Sequence, residues 1–264
     1  MIKLLLIFVP SLVLSWDYKF SGTDWPGLCS TGTKQTPINI DVNSTVRVFS
    51  NEPEYSWIHF QMTENPLQAN QDAGGYKFVG TFGEMNMMQG NLPVLSTNLI
   101  NFHFHSPSEN FINGQQFDLE MHIVMQDKDQ RYNFVVFGVL FRVENNAYNS
   151  FINKVIESRE NHVIITLAEA FNTLQIKDYL QFSGSLTTPP CTENVFWMLD
   201  TKIRTISPEQ LRFFRSLWSE KMDYAGGNGN NRLLQPVNDR TITHFIGASI
   251  SLGYIGMLVI LFMS

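Results

Sequence analysis

The chain has 264 residues, of which 16% are charged and 13% aromatic, with 21 Phe: enough apolar material for a large buried core, and not the composition of a disordered chain. A formal net charge of -6 and a pI near 5.5 leave no basic footprint for nucleic acid, so that class of partner is excluded.

Residues 1–15 read as a secretory signal peptide, with Lys3 before an apolar run that is broken by Pro10 and closes on Val13-Leu14-Ser15. The segment from Trp16 to Cys29 is aromatic but rich in Gly, Pro and Ser, and is expected to wrap the domain irregularly. Asn43-Ser44-Thr45 is a glycosylation acceptor triplet. Short runs follow at Ser56 to Met62, Tyr76 to Thr81, Thr97 to His105, Leu119 to Met125 and Tyr132 to Phe141, separated by turn residues. Such a series predicts a mainly β (α+β) fold built on one large sheet. Only Asn149 to Ser158 and Pro208 to Trp218 look helical, the second with Ser207 as cap and Pro208 in the first turn.

Gly226-Gly227-Asn228-Gly229 reads as a flexible loop, and nothing divides residues 16–245 into two domains. Residues 246–264 form an apolar C-terminal tail, expected to be a membrane anchor: either a transmembrane helix or the removed signal of a glycolipid anchor. The missing basic flank leans toward the glycolipid form. Either form sets the domain on an extracytoplasmic membrane surface, at the cell exterior or in a lumen. Cys29 and Cys191, an even pair in an oxidising compartment, are expected to form a disulfide.

Three histidines stand out. His103 and His105 are two apart on a predicted strand, so both imidazoles project from one face. His122, in a second alternating run, brings a third to the same point. Three neutral imidazoles on a rigid sheet suit Zn2+ with one coordination position open. Glu120 precedes His122 by two residues and Asn101 precedes His103 by two, so each is a candidate to orient its histidine. For Glu109 the residues alone leave three roles open: fourth ligand, general base, or orienter of a hydroxyl.

Asn101-Phe102-His103-Phe104-His105-Ser106-Pro107-Ser108-Glu109 with Leu119-Glu120-Met121-His122 resembles the zinc signature of the α-class carbonic anhydrases. Ser185 to Glu193, Trp16-Asp17-Tyr18, Gln35 to Ile40, Val195-Phe196-Trp197 and Asn231 to Pro236 are similar to further blocks of that family, in order along the chain. The resemblance implies a large, mostly antiparallel twisted central sheet with short peripheral helices. It implies reversible hydration of carbon dioxide to bicarbonate by a zinc-bound hydroxide, with His103, His105 and His122 as ligands. Thr187 would accept a hydrogen bond from that hydroxide and donate to Glu109. Val124, Val136, Leu186, Val195 and Trp197 would form the apolar wall, with Thr188 on the polar side and Tyr18 helping to organise water.

Two departures from the family pattern accompany these matches. Gly75 aligns where fast members carry a proton-shuttling histidine, so proton transfer is expected to limit turnover. Asn110 replaces a frequent histidine and is expected to weaken one supporting bond. The alternative function is a catalytically silent binding or adhesion domain on the same fold; a purely structural zinc is disfavoured, because structural sites fill all four positions with protein ligands.

Overall fold

A computed structural model describes residues 16–63, 68–72, 75–160, 176 and 178–247. The expected leader and residues 248–264 of the expected anchor lie outside them, and among the described residues no helix is long and apolar enough to cross a membrane.

In chain order the strands are β1 (Asn39–Ile40), β2 (Val46–Phe49), β3 (Trp57–Met62), β4 (Gln68–Asp72), β5 (Gly75–Val79), β6 (Gly83–Gln89) and β7 (Leu92–His105). They continue with β8 (Phe111–Ile112), β9 (Leu119–Asp127), β10 (Phe134–Val143), β11 (Tyr179–Ser185), β12 (Glu193–Asp200), β13 (Arg204–Ile206) and β14 (Thr243–Ile246). The small β1–β8 pair stands apart. The others form one large sheet in the order β2-β14-β11-β12-β10-β9-β7-β5-β4, with β13 beside β10, and β6 on β7 carrying β3. Most neighbours are antiparallel; β12 and β13 run parallel to β10, and β2 to β14. Among the described residues the α-helices are α1 (Leu28–Thr31), α2 (Ser150–Glu160) and α3 (Pro208–Ser216). A full capping box starts α3, where Ser207 and Gln210 satisfy each other's backbone N–H groups.

The sheet buries both faces unequally. On one, Phe78, Phe102, Phe104, Met121, Ile123 and Phe137 pack against Ile152 and Val155 of α2 and Leu211 and Phe214 of α3. The other face carries a smaller apolar cluster around Val124, Val136, Leu180, Val195, Trp197 and Leu199. The long strand β7 serves both faces because it contains a bulge. Leu99 pairs with Met125 but Asn101 pairs with Val124, so Ile100 is an extra residue. Before it, odd-numbered Leu95 and Leu99 face the helix-covered core; after it, even-numbered Phe102 and Phe104 do. The odd residues Asn101, His103 and His105 are thereby turned to the opposite face.

The N-terminal segment folds around an aromatic group in which Trp16, Tyr18 and Trp25 meet edge to face, against the Cys29–Cys191 disulfide. The bond joins positions 162 residues apart. Replacing both Cys29 and Cys191 by Ser is expected to lower unfolding free energy by about 2–5 kcal/mol. Urea unfolding followed by tryptophan fluorescence measures this, and an unchanged midpoint would contradict it.

Candidate metal centre

His103 on β7 pairs directly with His122 on β9, and His105 pairs with Glu120, so strand register alone brings the three imidazoles together. One nitrogen from each lies within 4.8 Å of the other two. His105 and His122 are fully buried and His103 is half-buried.

The second nitrogen of every ring is taken. His103 Nδ1 meets Asn101 Oδ1 at 3.0 Å, His105 Nδ1 meets the Asn230 carbonyl at 2.8 Å, and His122 Nε2 meets Glu120 Oε1 at 2.9 Å. Those bonds fix the tautomers and leave His103 Nε2, His105 Nε2 and His122 Nδ1 for the centre. Burial first, then the neighbouring imidazoles, holds His103 and His105 well below the usual histidine range, so both are neutral donors. For His122 burial acts in the same direction, but the charge and hydrogen bond of Glu120 and the charge of Glu109 outweigh it and raise its pKa.

Glu120 is saturated. Oε1 accepts from His122 and from Asn110 Nδ2 at 2.8 Å, and Oε2 accepts from the backbone N–H groups of Glu109 and Asn110, both at 2.8 Å. Asn110 takes part directly in this arrangement: its amide donates to Glu120 while its carbonyl oxygen accepts from Ile38 N at 3.0 Å. Gly138 sits opposite His122, and a Cβ there would come within 2.7 Å of Leu199 and 3.3 Å of Glu120 Oε1.

Glu109 lies beside the cluster with Oε1 held by Arg232 N at 2.8 Å, and its Oε2 is 3.4 Å from His105 Nε2 and 3.9 Å from His122 Nδ1. Burial pushes its carboxyl up to about 7, against the opposing pull of His122, of a hydrogen bond from Thr187 and of Arg232 N–H. His105 Nε2 and Glu109 Oε2 are buried polar atoms with no hydrogen-bond partner of their own. Three pre-oriented imidazoles, His103 and His105 held neutral, around such orphaned atoms fit a divalent metal of the zinc type.

The wall residues share this face. Asn101, Val124, Val136 and Trp197 are successive partners across β7, β9, β10 and β12, one register row from the histidines. Val195 and half-buried Leu186 join the same apolar cluster, and the Trp197 ring meets His122 edge-on at 4.9 Å. Thr188 is half-buried in the turn closed by Cys191 N to Thr188 O at 2.8 Å. Tyr18 is fully buried within the N-terminal aromatic group, stacked on Tyr224, and makes no ring contact with the histidine cluster.

Two residues of the site carry roles that the sequence alone does not reveal. Asn230 buttresses the cluster through three bonds: its carbonyl to His105, its Oδ1 to Ser106 N and its Nδ2 to Phe104 O. Arg232 supplies the N–H that holds Glu109, while its buried guanidinium donates to Gln35, Thr36 and Cys29 carbonyl-type oxygens. The glycine-rich loop is packed at one end only: Gly229 is buried and a Cβ there would lie 2.1 Å from Ser106 O, while Gly226 and Asn228 are exposed and Ala225–Gly227 forms a 3-10 turn. Gly75 has φ +121°, and a Cβ there would stand 2.7 Å from Asn230 Nδ2.

A sheet-borne centre of three imidazoles with one apolar wall defines a metal-site fold of a recognisable class. The eukaryotic-type carbonic anhydrase family matches residues 18–246. The chain is 30% identical to a carbonic anhydrase of Pectobacterium atrosepticum over 87% of this chain and 90% of that one. It is 30% identical to dioscorin dioA3 of Dioscorea japonica over 86% and 81%. An α-carbonic anhydrase of Thermovibrio ammonificans, solved with the inhibitor sulfanilamide, superposes with a TM-score of 0.63 at 28% identity, covering 82% of this chain and 89% of that one. The chain belongs to the eukaryotic-type carbonic anhydrase family.

Glu120→Gln substitutes a donor where four donors converge. It is expected to weaken Zn2+ binding about 10- to 100-fold in chelator competition while circular dichroism stays native, and unchanged affinity would contradict the orienting role.

Proposed function

We propose that this chain is a zinc-dependent carbonic anhydrase, interconverting carbon dioxide and bicarbonate at an extracytoplasmic membrane surface. The observation that carries the reading is the convergence of three pre-oriented imidazole nitrogens beside Thr187, Glu109 and an apolar wall. His103, His105 and His122 would hold Zn2+ as three protein ligands. Bound there, Zn2+ is a Lewis acid that makes water a nucleophile near neutral pH, its established role in carbonic anhydrases.

The protein's own groups set direction and access. Glu109, fixed by Arg232 N–H, would accept a hydrogen bond from the Thr187 hydroxyl. The Thr187 oxygen is then an acceptor, so it favours a nucleophile that donates to it and turns a lone pair toward carbon. Carbon dioxide is apolar, and Val124, Val136, Leu186, Val195 and Trp197 offer it dispersion contacts and keep out competing water. Thr188 borders the polar side.

Residues 1–15 as leader, 16–245 as catalytic domain, 246–264 as anchor and Asn43 as glycan acceptor complete the proposal. Asn43 is exposed, and the disulfide suits an oxidising compartment. Release by a phosphatidylinositol-specific phospholipase would identify the glycolipid form. One relative bears a name other than carbonic anhydrase, dioscorin, which leaves a second reading, a catalytically silent binding or adhesion domain on the same fold, for which hydration activity should be absent.

His105→Ala is expected to abolish both zinc retention and carbon dioxide hydration, and Thr187→Val to lower kcat on the order of 100-fold with zinc retained. Metal analysis and stopped-flow hydration check both, and an active His105→Ala protein would sink the assignment. Among the described residues the other histidines, His59 and His244, sit on β3 and β14, strands that do not adjoin β5, β7 or β9. Protons are therefore expected to leave through solvent, with hydration accelerating as imidazole buffer is added; rates independent of buffer would count against this.

A further inference from the structure

We propose that the apolar tail is kept in the mature chain and leaves the fold at Gly247 without a spacer, so that it seats the domain directly on a zwitterionic lipid surface with Phe49 at headgroup level. The inference rests on the membrane attachment in the proposed function and goes beyond it, because that reading leaves two kinds of anchor open.

The fold opposes the form in which the tail is cut away. A glycolipid signal consists of small residues at the cut, a polar spacer of about 8–12 residues and an apolar run. Counted back from Ile246, where the apolar run starts, such a spacer puts the cut at Asn238 or earlier. What would then be lost is built into the domain. β14 lies between β2 and β11, and among the described strands it is the only partner of β2. Phe245 is buried and stacks on Tyr179 at 4.7 Å, Ile242 belongs to the smaller apolar cluster, and Arg240 donates to the Ser183 carbonyl at 3.1 Å. Removing this inner strand would open two strand edges and leave a cavity beside Tyr179. A cut after β14 meets the opposite difficulty. Gly247, Ala248 and Ser249 are small, but Ile250 and Leu252 follow with no polar spacer.

The exit of the chain is also fixed. Ser50 N donates to Ile246 O at 3.0 Å and Gly247 N to Asp178 Oδ1 at 2.6 Å, so the last residues before the tail are tied to the sheet. Residues 248–264 carry no charge and follow without a linker, so the surface around the exit must meet the lipid interface. Phe49 pairs with Ile246 and is exposed, as is the turn of residues 51–54 that follows it. An exposed apolar ring at that point is stabilised at the boundary between headgroups and acyl chains. Glu52 and Glu54 make the turn acidic, which favours zwitterionic over anionic headgroups. The glycan acceptor Asn43 precedes the opposite end of β2, clear of this surface.

The test expresses the full chain with an epitope after Ser264 and then reconstitutes it in phosphatidylcholine vesicles. The epitope should remain on the membrane-bound chain, and a phosphatidylinositol-specific phospholipase should release none of it. Phe49→Trp and Asn51→Trp should each add tryptophan emission that lipid brominated near the headgroups quenches, whereas emission added by Val46→Trp, at the far end of β2, should persist. Either of the first two variants that folds suffices. Loss of the epitope with release by the phospholipase overturns the inference and leaves membrane attachment standing. Added emission that is unquenched, or quenched equally at residue 46, does the same. A chain that alkaline washing strips from membranes overturns both the inference and the attachment.

Discussion

The extra residue at Ile100 sets the phase of β7, because every residue after it projects to the face opposite to the one an unbroken ladder would assign. Ahead of the bulge the strand pairs with β6 and feeds the helix-covered core; beyond it the strand pairs with β5 and divides its residues between that core and the histidine face. The energetics favour this phase decisively. Burying Phe102 and Phe104 contributes about 1.5–3 kcal/mol each, whereas disturbing one ladder hydrogen bond costs about 0.5–1.5 kcal/mol. The opposite phase would also drive polar Asn101, His103 and His105 into an apolar core with no partners. Phenylalanine packing on one side is thus what holds the imidazoles on the other.

Orientation is a second, separate layer. Register brings His103, His105 and His122 together, but an Asn side chain, a backbone carbonyl and a Glu carboxylate decide which nitrogen each ring presents. Those partners come from β7, from the segment after the 3-10 turn and from β9, and the turn segment also holds Glu109 through Arg232. Since the Arg232 guanidinium reaches the Cys29 carbonyl and Gln35 reaches the Cys191 carbonyl, the disulfide region and the metal-type centre share one buried polar network. Such a network is rigid because its members are mostly satisfied; Arg232 Nε, Glu109 Oε2 and His105 Nε2 are exceptions.

How much of this was legible in the sequence follows from the range of each signal. Alternation revealed the strands, and the two-residue spacings pointed to His103 with His105, to Glu120 with His122 and to Asn101 with His103, because those relations are local. The family resemblance then tied Thr187 to Glu109. The bulge was not legible: Leu-Ile-Asn at residues 99–101 carries no Gly or Pro, and only the partner strand reveals the extra count. Asn230 was missed because its decisive group is a backbone carbonyl, which any residue has, and the adjoining block starting at Asn231 was the only hint. The glycines at 226–229 suggested flexibility, but at Gly229 the missing side chain makes room for Ser106 O. At Gly75, aligned with the family's proton-shuttling histidine, the packing of Asn230 Nδ2 against the backbone was likewise not visible in the sequence.

The central claim is that these three imidazoles hold a metal that the reaction requires. Its most direct test is to strip the purified chain of metal, restore one equivalent of Zn2+, and measure carbon dioxide hydration by stopped flow at each stage. The account predicts loss of hydration on stripping and recovery at one zinc per chain; hydration by the stripped protein, or none after zinc is bound, would contradict it.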